Sequence, residues 1–269
     1  MPVHGQLWWS GEGDPADARI VYVNDDGSNQ TVEADNDPAT ELVTDHVQDI
    51  GLDTAAGFYF ALVNFGAFGD GARLVRGTIG GSGPATVVAD FQVGSDPDDS
   101  NFDDLIVNAM QVDDINHKIY VGVQDPFGDA SNTGIRQYSY DPLTGAVTDE
   151  GFLVRADIDN TKPIDPDNFG LDLLNARDFD LDLSSNTLYF TELFTGGLQE
   201  QGLYRMDLTT HDITQMVSSV QFPDEGTNGF IIDVEVDPTT DLVYFSTESQ
   251  QPFGDPGQFR GPLTGASRG

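Results

Sequence analysis

The 269-residue sequence contains no cysteine. This absence excludes disulfide bonds, thiolate nucleophiles, and zinc or iron–sulfur centres held by cysteine. Basic residues are also scarce, because 11 Lys and Arg stand against 46 Asp and Glu, and the net charge is −35. A surface this negative repels phosphate backbones and anionic lipid, so nucleic-acid and membrane-surface roles are disfavoured.

Long apolar stretches are missing as well. No run approaches the 18 residues of a membrane-spanning helix, so we expect no membrane insertion. The first residues, Met1 to His4, show neither the charged nor the apolar region of a signal peptide. Either export uses a signal outside this sequence, or the protein stays inside the cell. Because exported bacterial proteins often lack cysteine, we expect a secreted or cell-surface protein of bacterial or archaeal origin.

The acidic excess consists mainly of aspartate, which outnumbers glutamate about fourfold. Two physical explanations remain open. Divalent cations such as Ca²⁺ prefer hard oxygen ligands and neutralise Asp-rich loops. Alternatively, the whole surface is adapted to high salt, where screening relieves the repulsion between carboxylates. The presence of only two lysines, Lys118 and Lys162, leans toward salt adaptation.

What the sequence does contain is one pattern written four times, in which a strand ends in Asp and a second strand carries Tyr. The four copies lie at 46–60, 108–121, 177–190 and 232–245. Aligning Asp53, Asp113, Asp182 and Asp237 also aligns Tyr59, Tyr120, Tyr189 and Tyr244. The Tyr-to-Tyr spacings of 61, 69 and 55 residues fit blades of four strands plus loops, and are on the long side for propeller repeats.

Each copy continues with a third strand that holds Arg and a fourth short apolar stretch, and four strands is the count of one blade. We therefore predict an all-β fold, a single β-propeller domain of four-stranded antiparallel blades. About five repeats are visible, at 1–45, 46–105, 106–174, 175–229 and 230–269. The first repeat lacks its first strand and the last lacks its fourth, so we expect part of a larger propeller that self-associates through these incomplete repeats.

Three short motifs resemble known propeller families. The segments LDLSSNTLYFTE (181–192) and VDPTTDLVYFST (236–247) resemble the YWTD repeats of lipoprotein receptors and the NHL repeats. The segment YDPLTGAV (140–147) resembles the Asp-Pro-x-Thr-Gly turn of YVTN and related bacterial propellers. The resemblance implies a β-propeller and, since those families mostly bind partners through loop-bearing faces, a binding role.

The first candidate site is a set of carboxylates near the predicted channel. Asp49, Asp178 and Asp233 each stand four residues before the aligned strand-ending Asp, where the second complete repeat has Ala109. The innermost strands of a propeller line a central channel, so these side chains are candidates for a ring that binds a cation. His46 precedes such a strand and is placed at the channel mouth. The recurrence argues against catalysis, because a general acid and a base need different environments.

Acidic loops supply the other candidates. The metal candidates are Asp96, Asp98, Asp99, Asp103 and Asp104 in one loop and Asp157, Asp159, Asp165 and Asp167 in another. Both loops have enough carboxylate for Ca²⁺, although solvated or passive loops are the alternative. A Phe-Gly-Asp element recurs with Asp70, Asp129 and Asp255, either as a structural turn or as equivalent binding loops.

These observations favour a non-catalytic binding or structural module with an unidentified protein or carbohydrate ligand. The alternative is a metal-dependent hydrolase that resembles the gluconolactonase-type propeller enzymes. That resemblance implies a divalent ion held by Asn175, Asp178 and Glu192. Nucleophilic catalysis has no support, since no G-x-S-x-G elbow is present and the four histidines are scattered. His117 falls in a turn, where we expect it to be solvated.

Overall fold

The fold consists of β-strands throughout the part of the chain that a computed structural model describes. No helix occurs there, and therefore none long and apolar enough to cross a membrane. The described residues are 5–10, 19–24, 31–35, 46–64, 72–81, 85–91, 105–124, 133–155, 176–192, 202–218, 223–224, 227–249 and 257–262.

The strands form five sheets, and the chain divides into two compact units. The first unit comprises Met1–Val121, Asp125–Phe127 and Gln137–Gly151, and the second comprises Gly122–Gln124, Gly128–Arg136 and Phe152–Gly269. Two sheets belong wholly to the first unit and two to the second, whereas the third sheet contributes residues to both.

The first unit holds a three-stranded and a four-stranded antiparallel sheet. The first sheet has the order β1 (Gly5–Ser10), β2 (Arg19–Asn24), β3 (Thr31–Asp35). The second has the order β4 (His46–Asp53), β5 (Phe58–Asn64), β6 (Ala72–Thr78), β7 (Thr86–Asp90). Neighbours in sequence are neighbours in each sheet, as in a propeller blade.

The remaining sheets repeat this simple order. The third sheet consists of β8 (Ile106–Asp113), β9 (Lys118–Gln124), β10 (Gly134–Tyr140) and β11 (Val147–Arg155). The fourth consists of β12 (Ala176–Asp182), β13 (Thr187–Glu192), β14 (Gly202–Asp207) and β15 (Ile213–Ser218). The fifth consists of β16 (Pro223–Asp224), β17 (Thr227–Asp237), β18 (Leu242–Ser249) and β19 (Gly257–Pro262).

In each four-stranded sheet, the hairpin that begins with β4, β8, β12 or β17 closes with the same turn. Its aspartates are Asp53, Asp113, Asp182 and Asp237, and each carboxylate accepts N–H groups two or three residues further on. The residue four positions after each Asp has a positive φ: Gly57 (77°), His117 (55°), Asn186 (54°) and Asp241 (57°). Gly, Asn and Asp are the residue types that tolerate this left-handed conformation best, so local chemistry specifies the turn.

Strand pairing corrects the alignment of one tyrosine. Asp53 pairs with Phe58, Asp182 with Thr187, and Asp237 with Leu242, so every turn has the same length. Phe60, rather than Tyr59, therefore occupies the position of Tyr189 and Tyr244. Tyr59 faces the other side of its sheet, because a shift of one residue reverses the direction of a strand side chain.

The strands that begin these hairpins pack beside one another within each unit, and we call β4, β8, β12 and β17 the inner strands. Within the first unit β4 lies beside β8, and within the second β12 lies beside β17. In the second unit Tyr189 and Leu203 pack against Val234 and Val236 in one buried apolar cluster. Apolar and acidic residues alternate along β17, so Val234 and Val236 lie on one face of the strand and pack against the fourth sheet.

A glycine permits close approach of the inner strands in the first unit. A Cβ added to Gly51 would lie 2.3 Å from Cγ2 of Val112. We expect Gly51→Ala to lower the free energy of unfolding by about 2 kcal/mol through overpacking, as measured by urea denaturation. Val112→Ala should relieve the clash, so a double variant with purely additive losses would contradict this contact.

Candidate functional site

The candidate functional residues are the inner-strand carboxylates, which are Asp49 in the first unit and Asp178, Asp180 and Asp233 in the second. A β-bulge precedes the carboxylate in β4, where the register shifts between Val47 and Asp49, and in β17, where it shifts between Ile231 and Asp233. In β12 the shift lies between Ala176 and Phe179. A bulge bends its strand and re-aims the side chains beside it, and Asp49 and Asp178, which lie at their bulges, each reach a neighbouring inner strand.

Asp49 joins two inner strands of the first unit. Its Oδ2 accepts the N–H of Met110 in β8 at 2.8 Å, and its Oδ1 accepts the N–H of Ile50 at 2.7 Å. Burial raises the pKa of Asp49 to about 6, although these two hydrogen bonds act in the opposite direction. A carboxyl group with this pKa changes its protonation in mildly acidic solution.

Two carboxylates make the corresponding contacts in the second unit. Oδ2 of Asp178 accepts the N–H of Val234 at 2.7 Å, and Oδ2 of Asp180 accepts the N–H of Val236 at 2.6 Å. Met110 and Val234 stand at the same position in their repeats, three residues before the turn Asp. In both pairs of inner strands, β4 with β8 and β12 with β17, a carboxylate of one strand therefore accepts a backbone N–H of the next.

Asp233 occupies the same repeat position but has a different environment. It is exposed, and its Oδ2 accepts the hydroxyl hydrogen of Ser246 from the adjacent strand of its own sheet at 2.6 Å. This bond stays within its own sheet, whereas the bonds of Asp49 and Asp178 cross to the next inner strand.

Asp49 and Asp178 thus each accept a backbone N–H of a neighbouring inner strand, which is a structural role. A cation ring formed by Asp49, Asp178 and Asp233 stays a prediction. The other two channel candidates cannot be assessed, because the side chain of His46 and the whole of Asn175 lie outside the described residues. In that described part, no group of three or more His, Asp or Glu side chains has a geometry suited to a metal ion.

A second cluster of titratable groups lies within the first unit around Asp53. Oδ2 of Asp53, which is fully buried, accepts the hydroxyl hydrogen of Tyr140 at 2.9 Å. Nδ1 of His117 lies 3.5 Å from the same oxygen, and the His117 ring meets the Tyr140 ring edge-on at 5.3 Å. Burial and the hydrogen bond to Asp53 raise the pKa of Tyr140. His117 is therefore half-buried in a polar cluster, which the expectation of a solvated side chain did not anticipate.

The residues suggested by the hydrolase resemblance are only partly described. Glu192 is fully buried at the end of β13, and Asp178 contributes one carboxylate oxygen to the N–H of Val234. Their shared partner in the resemblance, Asn175, is outside the described residues. The ligand set of that alternative stays a prediction.

The predicted loop sites also fall outside the described residues. They are Asp96, Asp98, Asp99, Asp103, Asp104, Asp157, Asp159, Asp165, Asp167, Asp70, Asp129 and Asp255. Their proposed roles in cation binding and in repeated loops therefore remain predictions.

Sequence reasoning missed two features of this site. It did not single out Asp180, whose place is taken by Gly51 in β4 and by Gln111 in β8. It also gave the aligned Asp53, Asp182 and their equivalents no role, although Asp followed at the fourth position by Gly, His, Asn or Asp is a turn signal. Burial alone would raise the pKa of Asp182, but hydrogen bonds from the two following serines hold it below its usual value.

Comparisons with known proteins identify a fold but no family. No family model matches the chain, and no curated protein matches it. A chain of the solved nidogen/laminin complex is similar over 96% of this chain and 76% of its own length, with 12% identity and a TM-score of 0.53. TolB from Acinetobacter baumannii is similar over 97% and 50%, with 10% identity and a TM-score of 0.54.

A GH74 enzyme from Niastella koreensis is also similar, over 98% of this chain and 37% of its own, with 15% identity and a TM-score of 0.57. The chain thus spans about half of TolB and little more than a third of the GH74 enzyme. These structures are β-propeller proteins, so the predicted fold class and the resemblance to propeller repeats are confirmed. At such low identity the likeness concerns the fold alone.

Proposed function

We propose that this chain is a non-catalytic propeller module of a secreted or cell-surface protein, and that it binds a protein or carbohydrate. The observation that supports this proposal is the use of its recurrent carboxylates. Asp49, Asp178 and Asp180 accept backbone N–H groups of the next inner strand, and the turn aspartates accept N–H groups of their own turns. The acidic groups that recur with the repeat therefore stabilise the turns of the repeat and its contact with the next inner strand.

Catalysis by a metal-dependent hydrolase is the less favoured alternative. Such a site needs carboxylate oxygens directed at an ion with an open coordination position. Asp178, the repeat-derived member of the suggested ligand set, already accepts a short hydrogen bond from Val234. No described contact favours the enzyme over the binding module.

The two functions are separable by assaying the full chain on glycan and protein arrays and, in parallel, on lactone substrates with added Ca²⁺, Mn²⁺ or Zn²⁺. We expect saturable binding to a glycan or a protein without turnover. Lactone hydrolysis that is lost in Asp178→Asn and Glu192→Gln, but kept in Asp233→Asn, would reject the non-catalytic role. Asp233→Asn is the matched control because it removes the same charge from the same repeat position.

We further propose that Ca²⁺ stabilises the protein at the acidic loops 95–105 and 156–172. Any ligand that binds the folded chain alone raises stability by mass action, by about 2.7 kcal/mol at a concentration 100 times its Kd. At equal ionic strength, thermal midpoints should therefore be higher in CaCl₂ than in NaCl, since monovalent salt supplies only screening. Differential scanning calorimetry in the two salts measures this difference.

The cation sites are located by paired substitutions. Asp98→Asn with Asp99→Asn, and Asp165→Asn with Asp167→Asn, should reduce the difference between the two salts. Asp149→Asn with Asp241→Asn removes the same charge from described positions outside both loops and should leave it unchanged. Equal midpoints in CaCl₂ and NaCl would eliminate specific Ca²⁺ sites and leave salt adaptation as the explanation of the acidic surface.

A further inference from the structure

The fourth sheet shows how one repeat holds the next within the second unit. Asp178 and Asp180 accept the N–H groups of Val234 and Val236, as described above. The hydroxyl of Thr191 donates to the carbonyl oxygen of Ile232 at 3.4 Å. Two carboxylates and a hydroxyl thus bind three polar backbone groups along the neighbouring inner strand.

A tyrosine completes this contact. Tyr189 pairs with Asp180 across the β12–β13 ladder, so both side chains lie on the same face of the sheet. Tyr189 is buried in the apolar cluster that contains Val234 and Val236. The docking face of the fourth sheet therefore consists of Asp178, Asp180, Tyr189 and Thr191.

The last sheet carries the same four functional groups at the same positions. Glu235 pairs with Tyr244, and Asp233 pairs with Ser246, so these side chains also share one face. By register, Asp233 corresponds to Asp178, Glu235 to Asp180, Tyr244 to Tyr189 and Ser246 to Thr191. We call Asp233, Glu235, Tyr244 and Ser246 the terminal face.

The terminal face differs from the fourth sheet in its exposure. Asp233 and Glu235 are exposed, and Tyr244 is 36% exposed whereas Tyr189 is 2% exposed. The hydroxyl of Ser246 donates to Asp233 within the sheet, whereas that of Thr191 donates to a neighbouring strand. A face with the chemistry of a repeat-to-repeat contact is thus open to solvent.

We propose that the terminal face docks the inner strand of another repeat of the same kind, supplied by a second copy of this chain. The occupant is an extended strand that presents two N–H groups at alternate residues to Asp233 and Glu235 and a carbonyl to Ser246. Its apolar side chains at those two residues cover Tyr244, as Val234 and Val236 cover Tyr189. This proposal goes beyond the ligand-binding role above, and either can fail without the other.

The chain itself supplies a suitable probe, the peptide of residues 106–113. In the first unit this strand already donates the Met110 N–H to Asp49, the equivalent of Asp233. It has Ala109 and Gln111 where β17 has Asp233 and Glu235, so it brings only the carboxylate of Asp113 to an acidic face. Repulsion between peptide and protein is therefore small.

The test is titration of the isotope-labelled full chain with this peptide to millimolar concentration, followed by NMR. We expect saturable shifts at Glu235, Tyr244 and Ser246. Methylation of the peptide nitrogens of Met110 and Val112 should weaken binding at least tenfold, whereas methylation at Gln111 should have a smaller effect. Absence of shifts at the terminal face, or equal binding by the Met110 and Val112 derivative, would overturn the proposal.

Variants of the full chain provide the second arm. Tyr244→Ala and Asp233→Ala should each weaken peptide binding at least tenfold without unfolding, because both residues are exposed. Leu143→Ala, at a 90% exposed turn residue, is the control and should bind the peptide as the parent chain does. Sedimentation velocity then identifies the donor, since a dimer that Tyr244→Ala dissolves would assign it to a second copy of this chain. Peptide binding that survives Tyr244→Ala and Asp233→Ala would contradict the assignment of this face.

Discussion

Replacing Asp49 by Asn is expected to remove about 3 kcal/mol of the pH-dependent change in the free energy of unfolding. The folded-state pKa of Asp49, about 6, lies above the ordinary value of 3.8, so the folded chain holds this proton more tightly than the unfolded chain. The contribution of this group is therefore fully present below pH 3.8 and is lost as the pH rises to about 6. The asparagine side chain of the variant cannot ionise, so the variant lacks this component.

The measurement is urea denaturation of the parent chain and of Asp49→Asn between pH 4 and 7.5 at constant ionic strength. Relative to the variant, the parent chain should lose stability as the pH rises through this window. Asp233→Asn removes the same charge from the equivalent exposed position and controls for the general repulsion at −35. A constant difference between the parent chain and Asp49→Asn would show that Asp49 is not buried beside β8 as described.

The repeat was predictable from sequence because its turns are specified locally. Asp at the end of a strand and a residue that tolerates positive φ four positions later recur in all four copies. Strand alternation predicts a core of Phe179, Leu181, Leu188, Phe190, Val112, Val234 and Val236; all of them are buried except Leu181 and Val112, which are half-buried. The tyrosine alignment was wrong only at Tyr59. The neighbouring Phe60 is also a large aromatic residue, so residue type alone does not show which of the two occupies the position of Tyr189.

The contacts of the inner-strand carboxylates were not predictable in the same way. The sequence places Asp49 and Asp178 at one repeat position, but which strand they touch depends on the bulge and on packing between sheets. Asp180 in β12 and Gly51 in β4 occupy the same repeat position but make different contacts. The carboxylate of Asp180 accepts the N–H of Val236, whereas Gly51 leaves room for the side chain of Val112. Position in the repeat therefore predicts proximity, whereas only the structure identifies the partner.

Replacing Asp53 by Ala is expected to lower the free energy of unfolding by about 3 kcal/mol, because a buried hydroxyl and a half-buried N–H lose their acceptor. These donors are the N–H of Ala56, at 2.8 Å, and the hydroxyl of Tyr140, at 2.9 Å. Asp237→Ala removes the same turn residue where no tyrosine hydroxyl is bound among the described contacts, and should cause a smaller loss. The difference between the two variants combines the contact with Tyr140 and the deeper burial of Asp53, because Asp237 instead accepts the hydroxyl hydrogen of Thr240.

A double-mutant cycle isolates that contact. Tyr140→Phe removes only the hydroxyl, and we expect it to lower the free energy of unfolding by about 1 to 2 kcal/mol, measured by urea denaturation. The loss of unfolding free energy in the double variant Asp53→Ala, Tyr140→Phe should be smaller than the sum of the two single losses by about 1 kcal/mol or more, because both substitutions delete the same hydrogen bond. Strictly additive losses, or equal losses for Asp53→Ala and Asp237→Ala, would mean that Asp53 serves its own turn alone. Coupling would instead show that this carboxylate joins β10 to the turn after β4, a structural use of the kind on which the non-catalytic role rests.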